Sequence, residues 1–154
     1  MRWRWLGAAV LAIGFVFGLV GWWASGAPTA KAGEVTIYSS PWCGCCGAWA
    51  EHLERSGFTV QIRERQDLGP IKARYGVPGE LGSCHTAVVE GYTIEGHVPA
   101  ADIQRLLAER PAAKGLAVPG MPLGSPGMES GSQRDRYDVI LFSEDGTQRI
   151  FASY

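Results

Sequence analysis

Three of the four cysteines lie within four residues, Cys43-Gly44-Cys45-Cys46, where an alternating segment gives way to a helical repeat. Before them Glu34-Val35-Thr36-Ile37-Tyr38 alternates polar and apolar residues, the period of a half-buried strand. Ser39-Ser40-Pro41-Trp42 makes the turn. After it Cys46, Trp49, Ala50 and Leu53 recur at i, i+3, i+4 and i+7, which is one face of a helix. Gly57 stands where that helix would end in a left-handed residue. The thiols therefore sit at a strand-to-helix junction, close to helix N-terminal amides whose partial positive charge favours thiolates.

The rest of the chain extends this unit. Phe58-Thr59-Val60-Gln61-Ile62 alternates again as a second strand. Asp67 caps a short helix through Tyr75, closed by Gly76 and Pro78. Thr86–Val89 reads as a buried strand, and Glu90-Gly91 turns it into a hairpin with Tyr92–Val98. Pro99 opens a helix with Ile103, Leu106 and Leu107 facing inward, and Pro111 ends it. The predicted order β-α-β-α-β-β-α is the thioredoxin-like one, an α/β fold with a mixed sheet covered by helices. Two additions follow. Lys114–Gln133 is a Gly/Pro/Ser-rich loop carrying Met121 and Met128, and a loop of that length is either functional or disordered. Tyr137–Phe142 and Gln148–Phe151 form a C-terminal β-hairpin turned by Asp145-Gly146.

The N-terminus is of another kind. Arg2 and Arg4 precede an uncharged stretch whose apolar core, Leu6–Ala24, would span roughly 28 Å as a helix. Ala30-Lys31-Ala32 then supplies an A-x-A cleavage pattern. Residues 1–32 are read as a signal peptide, with an uncleaved membrane anchor (Trp22 and Trp23 at the far interface) as the alternative. Either way residues 33–154 form one domain outside the cytoplasm, in the periplasm of a Gram-negative cell, touching the membrane only through the N-terminal segment. That domain keeps 11 of the 14 cations and all 15 acids, a net charge of −4. With no basic run or aromatic-rich basic strip, it carries no nucleic-acid footprint.

All four cysteines belong to the exported part, where free thiols face oxidation. In this fold the loop holding Cys84 faces the N-terminus of the first helix, which would bring all four sulfurs together. Three chemistries compete for them. Two structural disulfides are allowed by the even count, yet adjacent Cys45 and Cys46 pair poorly and so short a loop stabilises little. A redox pair is offered by Cys43 and Cys46, themselves C-x-x-C, although His85 stands where oxidoreductases of this fold keep a cis-proline. A soft-metal site is the third. Zinc prefers spaced knuckles and a single tetrahedron, whereas adjacent thiolates can bridge several small Cu(I) ions. Four thiolates would also balance four Cu(I) charges, avoiding buried net charge.

Five blocks carry a resemblance: Tyr38–Cys46, Ser83-Cys84-His85-Thr86-Ala87, Gly91–Ala100, Gly115–Pro122 and Gly124–Glu129. Across about Val35 to Leu141 the chain resembles the exported thioredoxin-like copper-resistance proteins of the CopG type (unrelated to the DNA-binding repressor of that name). The resemblance implies copper binding in metal tolerance, with C-x-C-C at Cys43, Cys45 and Cys46 and the distal ligand at Cys84. Expected partners are copper ions and other periplasmic copper-resistance proteins. The function expected is a periplasmic Cu(I)-binding protein with a site of more than one Cu(I). The alternative is a thiol-disulfide or copper oxidoreductase using Cys43 and Cys46.

Around the sulfurs, His85 is a candidate ligand or donor to thiolate, although alternation along a strand could turn it away. His97 begins the Pro99 helix as a cap or loop contact, with a ligand role as the alternative. His52 lies two turns along the first helix, too far from the thiols, and reads as exposed. Met121 and Met128 are candidate thioether ligands for Cu(I) or apolar anchors for their loop. Trp42 reads as a water shield and Trp49 as core.

Overall fold

The computed structural model describes residues 33–154, so the signal-peptide and anchor expectations lie outside the described residues. The elements run β1 (Glu34–Ser39), α1 (Gly44–Arg55), β2 (Thr59–Glu64), α2 (Gly69–Arg74), β3 (His85–Val89), β4 (Tyr92–Glu95), α3 (Ala100–Glu109), β5 (Gly115–Ala117), β6 (Asp138–Phe142) and β7 (Gln148–Ser153). They build one mixed sheet in the order β2-β1-β3-β4-β5-β6-β7. β1 pairs in parallel with β2 and antiparallel with β3.

Alternation along the strands divides the sheet into two different faces. Val35, Ile37, Ala87, Val89, Ile94, Leu116, Val139 and Leu141 join Trp49 and Leu53 of α1 and Ile103 and Leu106 of α3 in one buried apolar cluster. Burying a side chain such as Leu53 or Ile103 fully is worth about 1.5–3 kcal/mol. The other face is polar around β1, β3 and β4, where Tyr38, Thr86, Thr93 and Glu95 are buried. α2 covers it with hydrogen bonds: Lys72 reaches Thr86 and Glu95, the Tyr75 and Tyr38 hydroxyls meet at 3.2 Å, and Thr93 donates to the Tyr75 carbonyl.

α1 ends as expected. Gly57 takes φ +91°, its N–H donates to Glu54 O, and Phe58 N–H donates to Leu53 O, a Schellman closure with Phe58 and Leu53 both buried. The second helix is shorter than the Asp67–Tyr75 span expected. Leu68 holds the cap position, and Asp67 instead accepts from Gly69 N at 2.8 Å.

The expected structureless stretch from Lys114 is corrected at its start. Gly115–Ala117 is a strand, pairing in parallel with β4 and antiparallel with β6, and it joins the C-terminal hairpin to the main sheet. Three residues without a period cannot announce a strand, since both neighbours that define it are remote in sequence. The remainder of the loop is ordered by bonds within itself and to Gly82. Met128 N donates to Ser125 O, Gly124 N to Met128 O and Gly120 N to Gly82 O.

Candidate metal centre

Cys43 is the N-cap residue of α1, and Cys45 and Cys46 lie in its first turn. Ser83-Cys84 leads into β3, which pairs with β1 so that His85 stands opposite Ser39. The end of β1, the start of α1 and the start of β3 thus converge, and the four cysteine sulfurs all lie within 4.8 Å of one another. Cys43 and Cys46 are joined as a disulfide, while Cys45 and Cys84 are free. Cys45 Sγ is 3.6 Å from Cys43 Sγ and 3.8 Å from Cys84 Sγ. Cys46 Sγ is 3.9 Å from Cys84 Sγ. Burial, and then the neighbouring Cys45, push the Cys84 thiol up to about 12.

Two imidazoles close the inner wall. His85 faces the sulfurs rather than away from them, with Nδ1 3.3 Å from Cys84 Sγ and 3.5 Å from Cys46 Sγ. Its ring packs on Trp49, centroid to centroid at 4.4 Å. Burial, then His97 and Lys72, lower its pKa to about 3, so the ring is neutral. Its Nε2 is buried without a partner among the described residues. An orphaned acceptor costs less than an orphaned N–H, so the favoured tautomer carries the proton on Nδ1 and donates it to sulfur.

His97, read from the sequence as a cap or loop contact with a ligand role as the alternative, is fully buried with Nε2 3.1 Å from Cys84 Sγ. Its Nδ1 donates to Pro126 O at 2.8 Å. A carbonyl only accepts, so Nδ1 carries the proton and Nε2 offers its lone pair toward the cysteine. Cys84, His85 and His97 form a second group of close ligand atoms sharing the Cys84 sulfur. The available signal was a histidine two residues past the end of β4, but no local pattern ties it to Cys84.

The methionine loop reaches the site through backbone. A Cβ built on Gly127, which has φ +83°, would stand 2.7 Å from Trp49 N and 3.1 Å from Cys45 O, so the loop lies directly on the first turns of α1. Met128 is half-buried and Met121 is 53% exposed. Trp42 shields nothing: at 75% exposure it projects into solvent, because the turn that aims three thiols inward leaves it outside. Trp49 is core, with its indole N–H donating to Val98 O at 2.9 Å. His52 is half-buried rather than exposed and accepts from Ala100 N at 3.0 Å, supplying an end bond to α3.

With the Cys43–Cys46 bond reduced, the four sulfurs make a soft donor set that suits copper and disfavours hard cations. Comparison with known proteins agrees. Residues 81–128, from just before the distal cysteine through Met128, match the family described as "Protein of unknown function, DUF411". Two solved structures titled "Copper resistance protein copG", Form 2 and Form 1, are each 45% identical to this chain with a TM-score of 0.77. Both matches cover 80% of this chain, and they cover 99% and 98% of those structures. No curated protein matches the chain.

Proposed function

This chain belongs to the family of the CopG-type copper-resistance proteins, and we propose that it is a periplasmic Cu(I)-binding protein whose four cysteines hold more than one ion. The observation that carries the reading is the approach of four sulfurs to within 4.8 Å, drawn from segments about 40 residues apart. Adjacent Cys45 and Cys46 wrap poorly around a single zinc ion but can bridge several Cu(I) ions, and thiolate charge neutralises the cargo. The element order through α3 supports a thioredoxin-like core. Arg2, Arg4 and the apolar run after them support export. Met121 and Met128 are the candidate thioethers beyond the cysteines.

The Cys43–Cys46 disulfide favours a second reading, a copper oxidoreductase. A Cys43/Cys46 dithiol giving one electron to each of two Cu(II) ions would form the S–S bond and yield two Cu(I) and two protons. Reopening the bond takes two electrons and two protons from an external dithiol, which is itself oxidised to a disulfide, and frees all four sulfurs for the cargo. The first reading is tested by loading anaerobically reduced protein with copper in competition with zinc. Several Cu(I) per chain, undisturbed by zinc, is the expected result. A one-to-one zinc protein that ignores Cu(I) would sink it.

A further inference from the structure

Glu95, the last residue of β4, is fully buried. A buried carboxylate is costly unless its oxygens are engaged, and the way these are engaged is specific. Oε1 accepts from Ser83 N at 2.6 Å and from Lys72 Nζ. Oε2 accepts from the Thr86 hydroxyl at 2.7 Å. Ser83 and Thr86 flank the Cys84-His85 pair, so one carboxylate holds the backbone before the distal cysteine and the side chain after its histidine neighbour. The next two residues continue the grip. Gly96 N donates to His85 O at 3.1 Å, and His97 Nε2 meets Cys84 Sγ at 3.1 Å. Gly96 has φ +71°, and a Cβ there would stand 2.5 Å from Val118 O and 2.6 Å from Ser83 Oγ, so only glycine lets the strands close this far.

We infer that Glu95 is a positioning residue that fixes the Cys84 sulfur in the cluster by clamping both sides of the Cys84-His85 dipeptide. The inference rests on the proposed copper reading for its consequence and on the geometry alone for the clamp. Lys72, 23% exposed in its side chain, balances the charge from α2. The distal sulfur is thereby held through hydrogen bonds from the polar face of the sheet, opposite to the face that forms the apolar core.

Three variants test this. Lys72→Met/Glu95→Leu replaces the ion pair with apolar bulk, a change that buried pairs often tolerate in folding, and it removes the clamp. Glu95→Gln keeps an acceptor for Ser83 N. Thr86→Val removes one clamp bond with the side-chain shape retained. Two quantities are read: Cu(I) affinity of reduced protein against a competing chelator, and the metal-free alkylation rates of Cys84 and Cys45 with the Cys43–Cys46 disulfide intact. The double variant should melt cooperatively, lose about 10-fold or more in Cu(I) affinity, and alkylate faster at Cys84 but not at Cys45, as loss of an outer-shell partner implies. Glu95→Gln should stay close to the parent in both. A folded double variant that matches the parent in both quantities overturns the inference. If that variant does not fold, an unchanged Cys84 rate in Thr86→Val overturns it instead, and a raised one supports it. If the parent binds no Cu(I) yet the Cys84 rates move as expected, the copper reading falls and the clamp stands.

Discussion

His97 Nε2 stands 3.1 Å from the sulfur of Cys84 while the opposite nitrogen of the ring donates to Pro126 O at 2.8 Å. One imidazole thus links the distal cysteine to the methionine loop. Replacing it with His97→Phe keeps apolar bulk and breaks both links. Cu(I) affinity should fall about 10- to 100-fold, and proteolysis within residues 118–133 should accelerate even without metal. Unchanged cleavage would show that the loop is held independently of the ring.

Cys84 supplies the sulfur opposite the C-x-C-C turn. Cys84→Ser leaves that turn intact but exchanges a soft donor for a hard one that Cu(I) binds poorly. The reduced variant should lose most of its bound copper under a chelator that leaves the parent loaded. Copper content equal to the parent's would reduce Cys84 to a packing residue.

The thioether reading of Met121 and Met128 is separable from packing. Leu exchanges with Met at a cost below about 1.5 kcal/mol, so the double Leu variant should melt near the parent. Its Cu(I) affinity should nevertheless drop. Equal affinities would make the methionines anchors and leave the cysteines and imidazoles to hold the copper.

Gly127 is where the loop touches α1. Gly127→Ala puts a methyl against Trp49 N in a left-handed conformation, which costs about 1–3 kcal/mol before any clash is relieved. The melting temperature should fall by several degrees and the loop should become easier to cut. A variant as stable as the parent would mean that the loop does not need this contact.

Acid should weaken the metal-free fold through His52. Its burial, and then the Arg55 charge, lower its pKa below the ordinary 6.5, with Glu129 opposing, and a protonated ring could not accept from Ala100 N. An unfolded chain then takes up a proton that the folded one refuses. The contribution is therefore complete above about pH 6.5 and lost as pH falls through the lowered folded value. Urea midpoints measured at descending pH should decline, and His52→Gln, which can still accept from Ala100, should decline less. Parallel curves for the two proteins would rule His52 out as a source of the acid sensitivity.

Local pattern and residue chemistry alone determined much of this protein. The period-2 run of β1, the period of α1, the Gly57 stop and the Asp145-Gly146 turn each arise from neighbours within a few residues, and each appears in the structure close to its expected place. The placement of three thiols at a strand-to-helix junction follows from the same short-range logic. Four decisions belonged to the tertiary structure alone. β5 exists because β4 and β6 flank it. His85 turns toward the sulfurs and His97 reaches Cys84 because β3 and β4 pair in one register. Glu95 reads as an ordinary polar strand residue, and only the arrival of Lys72 from α2 and Ser83 from the cysteine loop makes its burial affordable. Gly127 lies against α1 because, lacking a Cβ, it lets the loop backbone approach Trp49 N and Cys45 O, segments remote from it in sequence. Hydrophobic period and turn chemistry report on the nearest few residues, whereas a ligand shell is assembled from groups whose sequence separation carries no periodic trace.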